Sequence, residues 1–184
     1  GDGFQMYVDY HDGGNVGHLR GEMPGAFAMK PFQIFAQLDG QGRPKAFSTG
    51  PDARAAKWPP AVYEYTCTPE AWLKAWRVGD WNQGRIRCVG KYPQITTWIN
   101  GLKVCHWNGE TCPLPEYDKE KVFGTLGREG SIGLQVHTVG KDARKEGIQV
   151  RFKNVRLKAV TRTGAGTAAS APNTLTADQK AAGW

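Results

Sequence analysis

Apolar and polar residues alternate in short runs along this chain, and the runs are broken by glycine, proline and Asx residues. Gly3–Asp9 (GFQMYVD) puts Phe4, Met6 and Val8 on one face, the period of a half-buried strand. Asp12–Asn15 (DGGN) predicts a turn, because glycine there takes positive φ without steric cost. Val16–Arg20 resumes as a strand, which makes a hairpin with His11, His18, Arg20 and Glu22 near its ends. Further on, Arg85–Val89 reads as a strand, and Gln94–Asn100 (QITTWIN) sets Ile95, Thr97 and Ile99 on one side. Asn100-Gly101 then leads into a strand over 102–106, and Asn-Gly favours the two-residue type I′ turn, whose central residues both need positive φ. Ser131–His137 (SIGLQVH) alternates Ile132, Leu134 and Val136. A last strand is predicted over 148–158. There Ile148, Val150 and Phe152 share a face, and the phase slips at Lys153-Asn154 to Val155 and Leu157, as at a β-bulge. Arg151, Lys153, Arg156 and Lys158 fall on its opposite, solvent side.

Between these runs, Gln41–Pro60 is polar and rich in Gly, Pro and Ala, which predicts a long surface loop. Pro69–Trp76 (PEAWLKAW) predicts a short helix with proline at its tolerated first position. From Thr161 the sequence TRTGAGTAASAPN has the composition of a flexible linker, and Thr176–Gln179 fits a capping box opening a short helix before Gly183. The fold class is therefore all-β: a two-sheet antiparallel sandwich with long loops over 1–160, and a flexible C-terminal tail over 161–184.

Composition sharpens this picture in three places. The 184 residues suffice for one domain with a real core, and 40% hydrophobic with 22% charged residues is ordinary for a globular chain. No apolar run approaches the ~20 residues of a membrane-spanning helix. The net charge of +7 is uneven: Lys119 to Lys158 holds ten basic against four acidic residues, a net of +6. Such a surface attracts nucleic acid, an acidic protein or anionic headgroups, or it is simply the solvated face of strands. No zinc finger, helix-turn-helix or RNA-binding sheet signature accompanies it, which argues against nucleic acid. Cys67, Cys88, Cys105 and Cys112 lack metal-type spacing. Cys105 and Cys112 enclose a polar loop and can bridge locally. Four cysteines allow three pairings, and buried thiols are the equal alternative.

Four segments then carry a resemblance. Asp80–Asn82 (DWN), Thr97–Gly101 (TWING), Gly130–His137 (GSIGLQVH) and Val150–Lys158 (VRFKNVRLK) stand in the order and spacing of the 3-keto-disaccharide hydrolase domain family, and Gly3–Asp9 with Gly17–Glu22 resembles its upstream hairpin. The resemblance spans roughly Gly1 to Val160. It implies a concanavalin- or laminin-G-like jelly-roll sandwich from the bacterial envelope, periplasmic or extracellular. It also implies cleavage of 3-keto-glycosides, in which the C3 carbonyl acidifies the C2 proton and elimination expels the glycosidic oxygen. That chemistry needs a base, an acid, and a donor or cation at the developing enolate, a task that also suits a divalent metal.

Carried over residue by residue, the resemblance makes His137, Asp9, His18 and Glu22 the candidate catalytic groups, and Gln5, Tyr7, Arg20 and Trp81 the candidate substrate contacts. Two departures stand out. The family hairpin carries a carboxylate where this chain has Gln5 and a glutamine where it has Tyr7, and an amide can neither act as a base nor hold a metal by charge. The family's opening strands have no counterpart before Gly1, whereas Leu175–Trp184 resembles the lead-in to a second copy. Trp81, Trp98 and Trp107 are candidates to stack on sugar rings, with core packing expected for Trp98 because it lies within a strand. Two functions compete. The first is a carbohydrate-active hydrolase or lyase of 3-keto-glycosides. The second is a degenerate sandwich that serves as a binding module or accessory subunit of a larger envelope or membrane-bound respiratory or photosynthetic complex. The expected partners are a carbohydrate or another protein chain, with the chain part of a longer polypeptide or assembly.

Overall fold

In a computed structural model of the chain, residues 4–10, 32–41, 43–51, 60–115, 117–126, 131–136 and 151–160 are described. The chain divides into two compact units, Gly1–Val150 and Arg151–Trp184. In the first, the strands are β1 (Phe4–Tyr10), β2 (Phe32–Leu38), β3 (Pro44–Pro51), β4 (Tyr65–Thr66), β5 (Gly84–Val89), β6 (Gln94–Ile99), β7 (Leu102–Asn108) and β8 (Ser131–Val136). Two helices, α1 (Pro69–Ala75) and α2 (Lys119–Leu126), and a single 3₁₀ turn at Pro60–Val62 complete the described elements. Every ladder is antiparallel, and the fold is the all-β sandwich the sequence predicts. β4-β7-β6-β5 form one sheet, while β1 pairs with β8 and β2 with β3.

The β6–β7 hairpin turns where expected. Asn100 and Gly101 have φ of 50° and 86°, the positive pair a type I′ turn requires. One register shift, between Thr97 and Trp98, leaves Val104 as the extra residue of β7. Ile95, Thr97 and Ile99 are all buried, so the predicted face of β6 is the core face. Cys105 and Trp107 on β7 lie on the same side and are fully buried. α1 and α2 add Trp72 and Val122 to this core, and the loops add Val62, Leu114 and Tyr117.

α1 starts where the sequence predicts. Thr68 caps it by accepting the Ala71 N–H at 3.2 Å, and Pro69 stands at its first position, where no N–H is needed. Trp72 stacks on Trp76, with ring centroids 5.1 Å apart, and Phe47 of β3 meets both rings edge-on.

Three expectations change. The loop expected over Gln41–Pro60 contains β3, whose prolines stand at the two ends of the ladder, where a missing donor is tolerated. Asp39 closes the β2–β3 turn: its carboxylate accepts the N–H groups of Gln41 and Arg43 at 2.9 and 2.8 Å and the Arg43 guanidinium at 3.0 Å. The strand expected over 148–158 is not formed across Arg151–Lys158, which has no regular structure, and residues 148–150 lie outside the described residues. Asn154 has φ of 55°, so the chain does break its extended run at the predicted slip. Val155 and Leu157 are exposed at 53% and 72% instead of buried. Finally, the Cys105–Cys112 bridge is not made, and all four cysteines are thiols. Cys105 is fully buried opposite Thr97, and Cys112 packs, partly buried, against the same core.

Candidate functional site

β1 and β8 bring the first set of predicted residues onto one ladder. Gln5 stands opposite Gln135 and Tyr7 opposite Gly133, and Phe4 pairs with Val136, the last residue before His137. The register slips by one residue between Tyr7 and Tyr10, the stretch that holds Asp9. Bulges of this kind recur beside active sites because they re-aim side chains relative to a regular strand. The hairpin strand 16–20 and His18, Arg20, Glu22 and His137 lie outside the described residues.

The DWN and TWING segments meet, but as scaffold. Asn82 Oδ1 accepts the Arg77 N–H at 2.8 Å and the Asn100 side-chain amide at 2.7 Å. Its own amide donates to the carbonyls of Arg77 and Asp80. Asn100 donates to the Ala75 carbonyl at 2.7 Å and accepts the Gln83 N–H at 2.8 Å. Two side chains thus pin the exit of α1 to the start of β5 and to the β6–β7 turn, and all the capacity of Asn82 goes to that. Trp81 stands at this junction, exposed at 44%, with its backbone N–H donated to the Asp80 carboxylate.

The three candidate tryptophans sort differently from the sequence expectation. Trp107 is fully buried and packs edge-on against Tyr117, with centroids 5.1 Å apart, so it cannot meet a sugar. β7 runs to Asn108, two residues beyond the predicted end, which carries Trp107 into the strand in phase with buried Cys105. Trp98 instead lies on the outward face, with the Arg85 guanidinium 4.3 Å from its ring centroid.

That outward face of the four-stranded sheet is the second grouping, and its register is explicit. Tyr65, His106, Thr96 and Arg87 form one row across β4, β7, β6 and β5. Lys103, Trp98 and Arg85 form the next, and Asn108, Gln94 and Val89 a third. Lys103 Nζ stands 4.5 Å from the Tyr65 ring centroid. His106 is held at both ring nitrogens, by Glu64 Oε2 at 3.1 Å from Nε2 and by the Thr96 hydroxyl at 2.7 Å from Nδ1. Glu64 Oε1 also accepts from Asn108 at 2.9 Å and Thr111 at 3.2 Å. Sequence reading passed over Glu64, Thr96 and His106. The available signal was phase: Thr96 and His106 alternate with the core residues Ile95 and Thr97, and Cys105 and Trp107.

Among the described residues no three His, Cys, Asp or Glu side chains gather as metal ligands. None of the described helices is long and apolar enough to cross a membrane.

Comparison with known proteins adds one finding. The family model described as a 3-keto-alpha-glucoside-1,2-lyase-like domain matches residues 2–158. No curated protein and no solved structure matches the chain.

Proposed function

We propose a lyase or hydrolase of 3-keto-glycosides, on the premise that this chain belongs to the 3-keto-alpha-glucoside-1,2-lyase-like domain family, a carbohydrate-active one. The reaction starts with removal of the C2 proton, acidified by the C3 carbonyl. The C1–oxygen bond then breaks, the C1–C2 double bond forms, and the leaving oxygen takes a proton from an acid. The residues assigned to these transfers are His137, Asp9, His18 and Glu22, with Gln5, Tyr7, Arg20 and Trp81 as substrate contacts.

The observation that supports this reading is the β1–β8 ladder. It runs the strand of Gln5, Tyr7 and Asp9, with its register shift between Tyr7 and Tyr10, alongside the strand that leads into His137. An extracytoplasmic location belongs to the same proposal and is supported by the family resemblance alone.

The second reading, a degenerate binding module or accessory subunit, is favoured by Gln5 where the family has a carboxylate. It is also favoured by the exposed Val155, Leu157 and Val160 beside Arg156 and Lys158, the surface a protein partner would cover. Incubation with a chromogenic 3-keto-glucoside separates the two. The enzyme reading expects aglycone release that falls by about 10²–10⁴-fold in His137→Ala. Release from Gln5→Glu but not from the native chain identifies a degenerate copy. Release from neither overturns the enzyme reading.

A further inference from the structure

We infer that the outward face of the β4-β7-β6-β5 sheet is a binding platform for an anionic glycan, one bearing carboxylate groups, separate from the β1–β8 ladder. The choice of a glycan rests on the carbohydrate-active reading of the family; the choice of an anionic one comes from the face itself. Its three rows carry Arg85, Arg87 and Lys103, on three positions of two adjoining rows. Among the described residues no carboxylate reaches any of them; the ion pairs formed lie at Asp39–Arg43, Glu120–Lys91 and Glu64–His106. Glu64 is bonded to His106 on the face, and both its oxygens are already held, one by His106 and the other by Asn108 and Thr111. Among the described residues, the face therefore presents three cations with no carboxylate bonded to them.

The rest of the surface suits a sugar chain. Tyr65, exposed at 40%, and Trp98 give two rings, each fixed in place by a cation stacked on it at 4.5 and 4.3 Å. A ring pinned by a cation is pre-ordered and loses little side-chain entropy on binding. Gln94 and Asn108 edge the rows with amides that both donate and accept, the pairing sugar hydroxyls need. Four strands at about 4.8 Å spacing make the row from Tyr65 to Arg87 roughly 14 Å long, room for a short oligosaccharide lying across the strands. A nucleic acid would meet the same cations, but the sequence carries no recognition signature for it.

Calorimetric titration of the full chain with a galacturonate trisaccharide, its neutral galactose counterpart and a single-stranded oligonucleotide tests this. The expected result is binding of the galacturonate in preference to both others, weakened by added salt, and reduced roughly tenfold or more in Arg87→Gln with Lys103→Gln. Each single variant is run as well, with circular dichroism to check the fold. Equal binding of the neutral and acidic trisaccharides, tighter binding of the oligonucleotide, unchanged binding in folded variants, or no binding at all overturns the inference. The readout is binding and not turnover, so a chain inert toward 3-keto-glycosides still decides it.

Discussion

Burial holds the Tyr117 hydroxyl well above the ordinary tyrosine range, with Cys112 and Cys88 adding to the shift. The hydroxyl, Trp107 Nε1 and Thr97 Oγ1 are all buried without a hydrogen-bond partner among the described residues. Gly109 is the reason Tyr117 fits: a Cβ there would meet the Tyr117 hydroxyl oxygen at 2.8 Å and the Pro93 carbonyl at 3.0 Å. A folded chain that keeps this proton while the unfolded chain loses it is destabilised as pH rises. Stability from this site is whole below the unfolded value of about 10 and declines above it. Tyr117→Phe removes both the titration and an unpartnered polar atom. Thermal unfolding should therefore show the variant at least as stable as the native chain at neutral pH, and less sensitive to alkali above pH about 10. An identical alkaline decline in both would refute the assignment. At this scale the sequence misplaced two tryptophans. Trp98 and Trp107 differ in one respect that composition does not carry, the phase of their strands relative to the core. The bulge at Val104 shifts that phase within β7.

Elements were more legible, because their signals are local. The β6–β7 hairpin rests on two adjacent residues suited to positive φ and on an alternation of six positions, and both are visible in a line of text. α1 likewise announces itself by an initial proline. β3 was hidden because its proline-flanked sequence looks like a loop, and the Asp39 turn that pairs it with β2 acts through side-chain hydrogen bonds. The last predicted strand failed for the opposite reason. Its alternation is strong, but alternation within one segment does not decide whether a ladder forms, because pairing depends on other segments. The Asn82–Asn100 pair lies between these cases: both residues fell within recognised segments, yet their work is to join elements. Asn82→Ala leaves the Arg77 N–H and the Asn100 amide each short of an acceptor. It should cost about 1–3 kcal/mol in denaturant unfolding, with amide exchange accelerated first at Arg77 and the β6–β7 turn. Uniform acceleration across the sheet would contradict a local clamp.

For the whole molecule, the family pattern was readable because four weak segments kept their order and spacing, and the match over residues 2–158 bears it out. The chemistry was less so. The described residues bring Gln5, Tyr7 and Asp9 onto a ladder that ends one residue short of His137, while Trp81 stands at the Asn82–Asn100 junction. Sequence order cannot convey which of these converge, since strands distant in the chain become neighbours only through pairing. The central claim is that this chain abstracts the C2 proton of a 3-keto-glycoside with groups that include His137. The most direct measurement is exchange of that proton in deuterated water, followed by proton NMR of a 3-keto-glucoside. It registers the first bond broken even where expulsion of the aglycone is slow. The account predicts exchange faster than in buffer alone, reduced by about 10²-fold or more in His137→Ala. Exchange at the buffer rate, or unchanged on removal of His137, would contradict it.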